Sequence, residues 1–391
     1  MKTSYEHIVV GAGALGTAAA YRLAKAGATD VLVLEQFALG HTKGSSEDHS
    51  RIIRHSYHSE IYTDLTQAMC QSWSEVEEEA GLALVIKTGG LDLAVVGTSG
   101  ADELDNYRRR LAPGVPSEEL DAAEILRRWP QWRIEDDVIG MFQPDGGILD
   151  IRRACATHIA LARARGVEFQ PNTEVARLES CSDHVVVHTN RGRFTAGSVV
   201  LCVASWASRL LPDLGVNWDI TLSQEQVSYF ATPSLRAFAP ENFPMWIWHG
   251  DMLFYGFPVY GEVAVKLGRD VTGRWVTIDN HSYEPLDQET HLLAKFLRER
   301  LPGAVGPELF SKTCVYDMPR DRDFILDHLP GHPRIVIGMG AGHAAKFASL
   351  IGEVLAELAI DGRSKYPIEA FRADRPALSD PNFVPTFRLE G

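Results

Sequence analysis

The spacing of apolar residues changes twice within the first 35 positions of the chain. A short apolar run, Ile8-Val9-Val10, precedes an alanine-rich stretch that ends near Ala26, and a second apolar run follows at 31–34. Short apolar runs of this kind are typical of buried strands, and the longer alanine-rich stretch favours a helix. The segment Gly11-Ala12-Gly13-Ala14-Leu15-Gly16, which joins the first run to the helix, predicts a tight turn. The pattern therefore predicts a strand, a glycine turn, a helix and a second strand.

The glycine turn has the spacing of a dinucleotide-binding motif. Gly11, Gly13 and Gly16 match G-x-G-x-x-G between a predicted strand and a predicted helix, and Glu35 closes the second strand. Glycines let the backbone approach a pyrophosphate, and the free N–H groups at the start of the helix can bind its charge. Glu35 can accept hydrogen bonds from ribose hydroxyl groups. The alternative is a glycine turn that serves packing alone.

The rest of the chain predicts more mixed α/β structure, with no linker or repeat. A strand at 334–338 enters a second glycine-rich turn at 338–342, and a helix follows. The other predicted elements are helices at 61–81, 151–165, 287–301 and 343–360, irregular helical pieces at 105–133, and strands at 167–178, 184–189, 198–203, 227–231, 252–257 and 262–267. This order predicts an α/β protein in which a Rossmann-like dinucleotide-binding domain is interleaved with a second domain.

Composition narrows the class of partner. Of 391 residues, 45% are hydrophobic and 23% are charged, which is typical of a globular protein of two or three domains. The formal net charge of −14 argues against a nucleic-acid surface, which needs clustered Lys and Arg, and favours small-molecule partners. An anionic ligand would have to bind at a local cluster of positive side chains.

Cysteine spacing and hydropathy indicate the cellular setting. The five cysteines form no CxxC pair and match no zinc pattern, so we expect neither a structural metal nor disulfide bonds. The sequence contains no run of 18 apolar residues, no signal-peptide pattern and no peroxisomal signal. We therefore expect a cytoplasmic protein without a membrane partner, as a monomer or a small homo-oligomer.

Three cations are candidates for an anion site. Arg51 and Arg54 are three positions apart, so an extended segment would send their side chains to opposite faces, one toward a cofactor and one toward an anionic substrate. Lys346 is predicted in the first turn of the last helix, at the edge of its apolar stripe, where the helix dipole disfavours a cation. Such a lysine could bind an anion, either a substrate carboxylate or, as a cofactor-binding residue, a reduced flavin. The alternatives are solvated arginines and a lysine that extends into solvent.

Four further residues carry little information when each is taken alone. Lys266 lies in the alternating segment 263–267, which predicts a strand with the lysine on the face opposite the apolar residues, in solvent. Cys314 is compatible with an ordinary buried free cysteine. Tyr255 and Tyr316 are compatible with structural roles.

Taken together, these residues resemble the monomeric sarcosine oxidase and N-methyltryptophan oxidase family, within the D-amino-acid-oxidase-like flavoproteins. The resemblance covers nearly the whole chain. It depends on six motifs that occur in the order of that family: Gly11-Ala12-Gly13-Ala14-Leu15-Gly16, Arg51-Ile52-Ile53-Arg54-His55, Tyr255-Gly256-Phe257-Pro258, Val265-Lys266-Leu267-Gly268, Cys314-Val315-Tyr316 and Gly342-His343-Ala344-Ala345-Lys346-Phe347.

The resemblance implies a role for each candidate residue. The cysteine that matches Cys314 holds the flavin covalently, so the implied cofactor is FAD. The residues that match Arg54 and Lys346 bind the substrate carboxylate, and the one that matches Arg51 lies near the flavin. The lysine that matches Lys266 activates dioxygen, since a fixed cation stabilises the negative charge that develops there. The other residues implied are two pocket tyrosines, Tyr255 and Tyr316, and, at the cofactor, Gly11, Gly13, Gly16, Glu35, Val175, Gly342 and His343.

Two positions depart from the family pattern. Asp270 and Glu47 stand where the family has histidines, and His49 is near the second position in a different register. A carboxylate beside the amine would favour the charged ammonium or a second cationic group of a larger substrate, whereas hydride transfer needs the free amine. The departures favour a substrate other than sarcosine, or a loop arrangement that takes Asp270 out of the site.

The prediction from the sequence is a two-domain FAD-dependent oxidase of a secondary or primary amine that bears a carboxylate. Hydride passes to flavin N5, the imine hydrolyses, and dioxygen becomes hydrogen peroxide. The alternatives are an amine dehydrogenase with another electron acceptor, against which Lys266 argues, and a non-catalytic flavin-binding subunit. The predicted FAD domain comprises 1–60, 145–220 and 310–375, the α+β substrate domain with a mixed or antiparallel sheet comprises 61–144 and 221–309, and a tail comprises 376–391.

Overall fold

A computed structural model of the protein describes residues 2–385. The α-helices of this part are α1 (Ala14–Lys25), α2 (Glu60–Ala80), α3 (Ser99–Arg110), α4 (Ala122–Arg128), α5 (Ile151–Ala164), α6 (Ala207–Leu210), α7 (Asp287–Arg300), α8 (Ala348–Asp361) and α9 (Pro376–Ser379). No helix of residues 2–385 is both long enough and apolar enough to cross a membrane.

The strands of the same part of the chain form three sheets. They are β1 (Ser4–Val10), β2 (Val31–Leu34), β3 (Arg51–Ile53), β4 (Val85–Ile86), β5 (Gly90–Val95), β6 (Glu118–Asp121), β7 (Val138–Gln143), β8 (Gly147–Leu149), β9 (Glu168–Gln170), β10 (Val175–Ser180), β11 (Val185–Thr189), β12 (Gly192–Leu201), β13 (Ile220–Phe230), β14 (Met245–His249), β15 (Phe254–Phe257), β16 (Val265–Arg269), β17 (Trp275–Val276), β18 (Glu308–Pro319), β19 (Ile325–Leu329) and β20 (His332–Met339).

The first sheet is built around the predicted strand, glycine turn, helix and strand. β1 pairs in parallel with β2 on one side and with β12 on the other, and β12 pairs in parallel with β20. All four residues of β2 are buried, as expected for a parallel sheet covered on both faces. The helix α1 packs against α5 and α8. This arrangement confirms the dinucleotide-binding unit predicted from the sequence.

The second sheet has nine strands in the order β17-β13-β16-β15-β14-β5-β7-β6, and β18 pairs with β13. Its pairings are antiparallel except for β14 with β5. The predicted mixed sheet is therefore confirmed, together with the α/β fold class. A small third sheet, β3-β8-β4, carries Arg51.

Two of the predicted domain boundaries fall within or beside elements of the observed structure. The expected return of the FAD domain at 310 falls inside β18, which pairs with β13 from Phe230 to Ile220 and so belongs to the second sheet. The tail expected from 376 begins with α9, where Leu378 is fully buried, and its last part, 386–391, lies outside the described residues. The two-domain division itself stays a prediction.

Some strands of the second sheet were not predicted. All five residues of β14 are buried, as are the first five of β5. A strand that is covered on both faces loses the alternation of apolar and polar residues, so its period does not distinguish it from a buried helical segment. In the first sheet, the single strand predicted at 167–178 is divided into two strands, β9 and β10.

Candidate active site

One cavity of about 1880 Å³ extends from the glycine turn before α1 to the second sheet. Small-molecule sites occupy roughly 300–1,000 Å³, so this cavity can hold a dinucleotide together with a second small molecule. The predicted site residues that line it are Gly11, Gly13, Glu35, Arg51, Arg54, Val175, Tyr255, Lys266, Cys314, Tyr316, Gly342, His343 and Lys346.

The glycine turn closes because two of its glycines lie against backbone atoms. Gly11 has a φ of 98°, and a Cβ atom there would lie 2.3 Å from the carbonyl oxygen of Cys202. A Cβ atom on Gly16 would lie 1.9 Å from the carbonyl oxygen of Gly11. Gly16 therefore allows α1 to pack on the turn and, unlike Gly13, does not line the cavity. Gly13 precedes the first turn of α1 and leaves the start of the helix facing the cavity.

Glu35 is a buried carboxylate beside this turn. It accepts hydrogen bonds from the backbone N–H groups of Ala12 at 2.8 Å and Phe37 at 2.9 Å, and His41 lies 3.4 Å away. Burial would raise its pKa, but His41 and the two N–H groups hold the pKa of Glu35 below its usual value. A carboxylate can accept about four hydrogen bonds, so capacity remains for a ribose hydroxyl. The turn, the helix start and this carboxylate fit the dinucleotide half of FAD.

The two arginines contact different parts of the molecule. Arg51 donates hydrogen bonds to the carbonyl oxygens of three residues in the preceding loop, at 2.7–2.9 Å. Arg54 forms an ion pair with Asp92 of β5, with 2.5 Å between Nη1 and Oδ1, and its guanidinium lies 5.0 Å from the centroid of the Tyr107 ring. The Arg54 side chain is 11% exposed. The alternative of two solvated arginines is therefore wrong.

Asp92 is a site residue that the sequence reading missed. It is 1% exposed, and its Oδ1 also lies 2.9 Å from His249 Nε2. Burial would raise the pKa of Asp92, but Arg54 and His249 hold it below its usual range. One feature of the sequence could have identified Asp92, because it is the single carboxylate in the otherwise apolar segment that forms β5. A charge buried in such a segment needs a partner of opposite charge.

Lys346 lies in a 3-10 turn, Ala344–Phe347, and not in the first turn of the helix as predicted, because α8 begins at Ala348. Its Nζ donates hydrogen bonds to Tyr57 Oη at 2.8 Å and to the carbonyl oxygen of His343 at 3.2 Å. The side chain is thus held inside the cavity, and the alternative of a lysine in solvent is wrong. Its pKa is lowered to about 7, chiefly by burial and also by the positive charge of Arg54.

Lys266 is 3% exposed, which contradicts the expectation of a solvated lysine. The apolar face predicted with it is also wrong at one end, because Val263 is 65% exposed and precedes β16. The reason is tertiary. β16 lies between β13 and β15 inside the nine-stranded sheet, and its first four residues are all buried, so both of its faces are covered. Lys266 Nζ lies 2.6 Å from Asp48 Oδ2, a second residue that the sequence reading missed.

Cys314 and the two tyrosines lie on strands that border the cavity. Burial raises the pKa of the Cys314 thiol to about 11, although Arg51 favours its thiolate. A Cβ atom on Gly268 would lie 2.8 Å from Tyr255 Oη, and one on Gly342, whose φ is 79°, would lie 2.6 Å from the Tyr316 ring. Both tyrosine rings therefore pack directly over glycines of two family-like motifs.

Asp270 lies in the site and is already paired. Its carboxylate accepts two hydrogen bonds from the Arg322 guanidinium, at 2.8 and 2.9 Å, and both residues line the cavity. The arrangement that would take Asp270 out of the site is therefore wrong. Glu47 also lines the cavity, but its carboxylate pairs with Arg152 and, at 3.3 Å, with Lys312.

Comparison with known proteins places this geometry among flavoenzymes. A family described as "FAD dependent oxidoreductase" matches residues 6–358. Monomeric sarcosine oxidase of Bacillus sp. (strain B-0618) is 32% identical over 387 residues, which cover 97% of this chain and 98% of that protein. N-methyl-L-tryptophan oxidase of Escherichia coli (strain K12) is 31% identical over 382 residues, with 95% and 99% covered.

Solved structures agree with this assignment. The open form of NikD, described as an unusual amino acid oxidase essential for nikkomycin biosynthesis, is 28% identical with a TM-score of 0.81, and the match covers 95% of this chain and 98% of that one. Glycine oxidase from Geobacillus kaustophilus is 20% identical with a TM-score of 0.80, which shows a shared fold.

Proposed function

The chain belongs to the FAD-dependent oxidoreductase family, and on that premise we propose that it oxidises a secondary or primary amine that bears a carboxylate. The enzyme class, an FAD-dependent oxidoreductase that acts on CH–NH donors, follows from the family and the relatives. The substrate class is supported by one observation, the pairing of the cavity cations Arg54, Arg322 and Lys346.

Among residues 2–385, Lys346 forms no ion pair with a carboxylate, unlike the two arginines beside it. Arg54 and Arg322 each face a carboxylate, Asp92 and Asp270, whereas Lys346 donates to two neutral oxygens. A substrate carboxylate beside Lys346 and Arg54 would gain charge-assisted hydrogen bonds in a partly desolvated site. It would also oppose the effect of burial on the pKa of Lys346.

The pairing of Asp270 with Arg322 bears on the amine end of the substrate. A carboxylate held by a bidentate guanidinium is compensated, so it exerts little extra pull on an ammonium group. Asp270 therefore orients Arg322, and the substrate needs no second cationic group. N-methyl amino acids and cyclic imino acids both satisfy this condition.

The proposed reaction conserves atoms and electrons. When bound, FAD would supply a two-electron acceptor for the oxidation of the carbon–nitrogen bond, and dioxygen would take up these electrons with two protons to become hydrogen peroxide. The imine product hydrolyses to a carbonyl compound and an amine. The residues of this chain orient the amine through its carboxylate, exclude water and place a fixed charge, Lys266, where dioxygen is reduced.

Cys314 would hold the cofactor through a thioether between Sγ and the 8α carbon of the flavin. The proposal is supported by its place on the cavity wall and by the match of Cys314-Val315-Tyr316 to the family motif. The groups that would hold the rest of the cofactor are the glycine turn and Glu35 at one end, with Arg51, Val175, Gly342 and His343 along the cavity.

A peroxide-coupled screen tests the proposal. N-methyl amino acids, cyclic imino acids and glycated amino acids are each assayed beside the matching amine that lacks the carboxylate. We expect hydrogen peroxide from at least one acid and at least tenfold less from its decarboxylated partner. Turnover only with an artificial electron acceptor would point to a dehydrogenase, and equal turnover of acid and amine would contradict the carboxylate site.

A further inference from the structure

We propose that Asp48 is a positioning residue for Lys266, which it keeps protonated and fixed in place, so that Asp48 sets the pH range over which dioxygen is reduced. The inference rests on the role proposed above for Lys266. The two side chains are 4% and 3% exposed, and 2.6 Å separates Asp48 Oδ2 from Lys266 Nζ. Nothing in the sequence pattern or in the resemblance points to Asp48.

The contacts of Lys266 show that its ammonium group is held in one orientation. Nζ donates to the carbonyl oxygen of Ser50 at 2.9 Å, to Ser50 Oγ at 3.0 Å and to Asp48 Oδ2. A lysine ammonium has three N–H donors, so these three oxygens use all of them. Lys266 therefore acts on a neighbouring molecule as a fixed positive charge and not as a hydrogen-bond donor.

Asp48 is itself held by the fold, independently of Lys266. Its Oδ1 accepts hydrogen bonds from the backbone N–H of His49 at 2.8 Å and from Tyr229 Oη. Its backbone has a φ of 104°, in the region that favours glycine. A side chain in such a backbone conformation persists only where its surroundings require it, and such positions cluster at functional sites.

The charges around Lys266 determine what Asp48 does. The titratable and charged groups that act on Lys266 are Asp48 from the loop before β3, Arg51 from β3, Cys314 from β18 and Tyr229 from β13. Arg51 and Lys312 of β18 also lie 3.7 and 3.8 Å from the Asp48 carboxylate. The pKa of Lys266 is lowered to about 8, because burial, with Arg51, lowers it by more than Asp48 raises it. Without the carboxylate, the remaining influences of burial and Arg51 favour a neutral lysine at neutral pH.

A neutral Lys266 could not stabilise the negative charge that develops on dioxygen as it accepts two electrons and two protons to become hydrogen peroxide. The expected signature of Asp48 is therefore a pH profile. Loss of the carboxylate should slow reoxidation at pH 8 and leave it nearly unchanged at low pH, where Lys266 is protonated in either case.

The experiment measures reoxidation without any amine substrate. Holoenzyme reduced anaerobically with dithionite is mixed with oxygenated buffer from pH 5.5 to 9.5, and the return of flavin absorbance is followed. We expect the wild-type rate to fall with a midpoint near the pKa of Lys266, and Asp48→Asn to move the midpoint down by a unit or more. Each pH unit by which the midpoint moves down lowers the reoxidation rate about tenfold at any pH above both midpoints.

A second readout is independent of activity. In holoenzyme labelled with [ε-13C]lysine, the signal of Lys266 is identified by its loss in Lys266→Met, and its titration gives the pKa directly. Glu262→Gln is the matched control, because it removes a nearby carboxylate whose partner is His49, at 3.2 Å, and not Lys266. Asp48→Gly repeats the test with a residue that suits the backbone, should the asparagine variant fail to fold.

The outcomes separate the two proposals. An unchanged rate midpoint and an unchanged Lys266 pKa in Asp48→Asn would overturn the role of Asp48, even if Lys266→Met abolishes reoxidation. If Lys266→Met reoxidises normally, the oxygen-activating role of Lys266 fails, while the lysine titration still decides whether Asp48 keeps that lysine protonated. A midpoint that moves equally in Glu262→Gln would assign the shift to net charge and would also overturn the proposal.

Discussion

Arg54, which lines the cavity, forms an ion pair with the buried Asp92, with 2.5 Å between Nη1 and Oδ1 and side-chain exposures of 11% and 2%. The pair joins the loop after β3 to β5 of the second sheet. Asp92 therefore fixes the direction of the guanidinium before a substrate arrives, and the energetic cost of ordering Arg54 is met on folding rather than on binding.

Arg54→Ala should lower kcat/KM for a carboxylate-bearing amine about ten- to a hundredfold or more, at roughly 1.5–3 kcal/mol for a hydrogen bond to a charged group. The decarboxylated analogue should lose little, because it never uses the contact. Steady-state kinetics of both substrates with both proteins form a double cycle. Equal losses for the acid and the analogue would mean that Arg54 supports the flavin or the fold instead.

Asp92→Ala should destabilise the protein by about 3–5 kcal/mol, because it leaves the Arg54 charge buried without its carboxylate. Denaturant unfolding of the holoenzyme measures the change. The control is the double variant Arg54→Met with Asp92→Leu, which removes both charges and should recover most of the lost stability. A double variant no more stable than Asp92→Ala would show that packing around β5, and not the isolated charge, is responsible.

Cys314→Ala should release the flavin. The wild-type protein should stay yellow after acid precipitation, with FAD in the pellet, whereas the variant should leave FAD in the supernatant. Cys202→Ala is the matched control, since Cys202 also lines the cavity but at the glycine turn. Wild-type flavin that separates freely in acid would contradict the covalent bond, although the fold would be unaffected.

Lys346 should give kcat/KM a descending limb near neutral pH. Its pKa in the folded protein, about 7, lies below the ordinary lysine value, so the charge is present below that pH and is lost as the pH rises through it. The limb should appear with the carboxylate-bearing substrate, and both its decarboxylated analogue and the variant Lys346→Met should lack it. A limb that survives in Lys346→Met belongs to another group.

Lys266→Met should leave amine-driven flavin reduction largely intact and slow reoxidation by orders of magnitude, because the cation acts on dioxygen and not on the amine. Stopped-flow measurement separates the two half-reactions. Equal slowing of both would remove Lys266 from this role and indicate a structural one.

The dinucleotide-binding part of the site could be predicted because its residues lie close together in the sequence. Gly11 and Glu35 belong to one strand, turn, helix and strand, where period and glycine spacing determine both backbone and chemistry. The family motifs located Arg54, Cys314 and Lys346, and the structure brings all three to one cavity. The apolar stripe of α8 was also correct, although α8 begins five residues later than the predicted helix.

Only the tertiary structure decided which charges meet. Asp48 and Lys266 are 218 positions apart, and Arg322 reaches Asp270 across 52. Such pairs depend on sheet order and loop direction, which leave no periodic signal in the chain. Lys266 was predicted to be in solvent for the same reason, because the alternation of β16 does not show that both of its faces are covered. The sequence by itself therefore determined the cofactor-binding fold and the residue types of the site. The pairing of those residues, and with it the charge available to a substrate, was decided by packing, because electrostatic energy depends on distance in space and on burial.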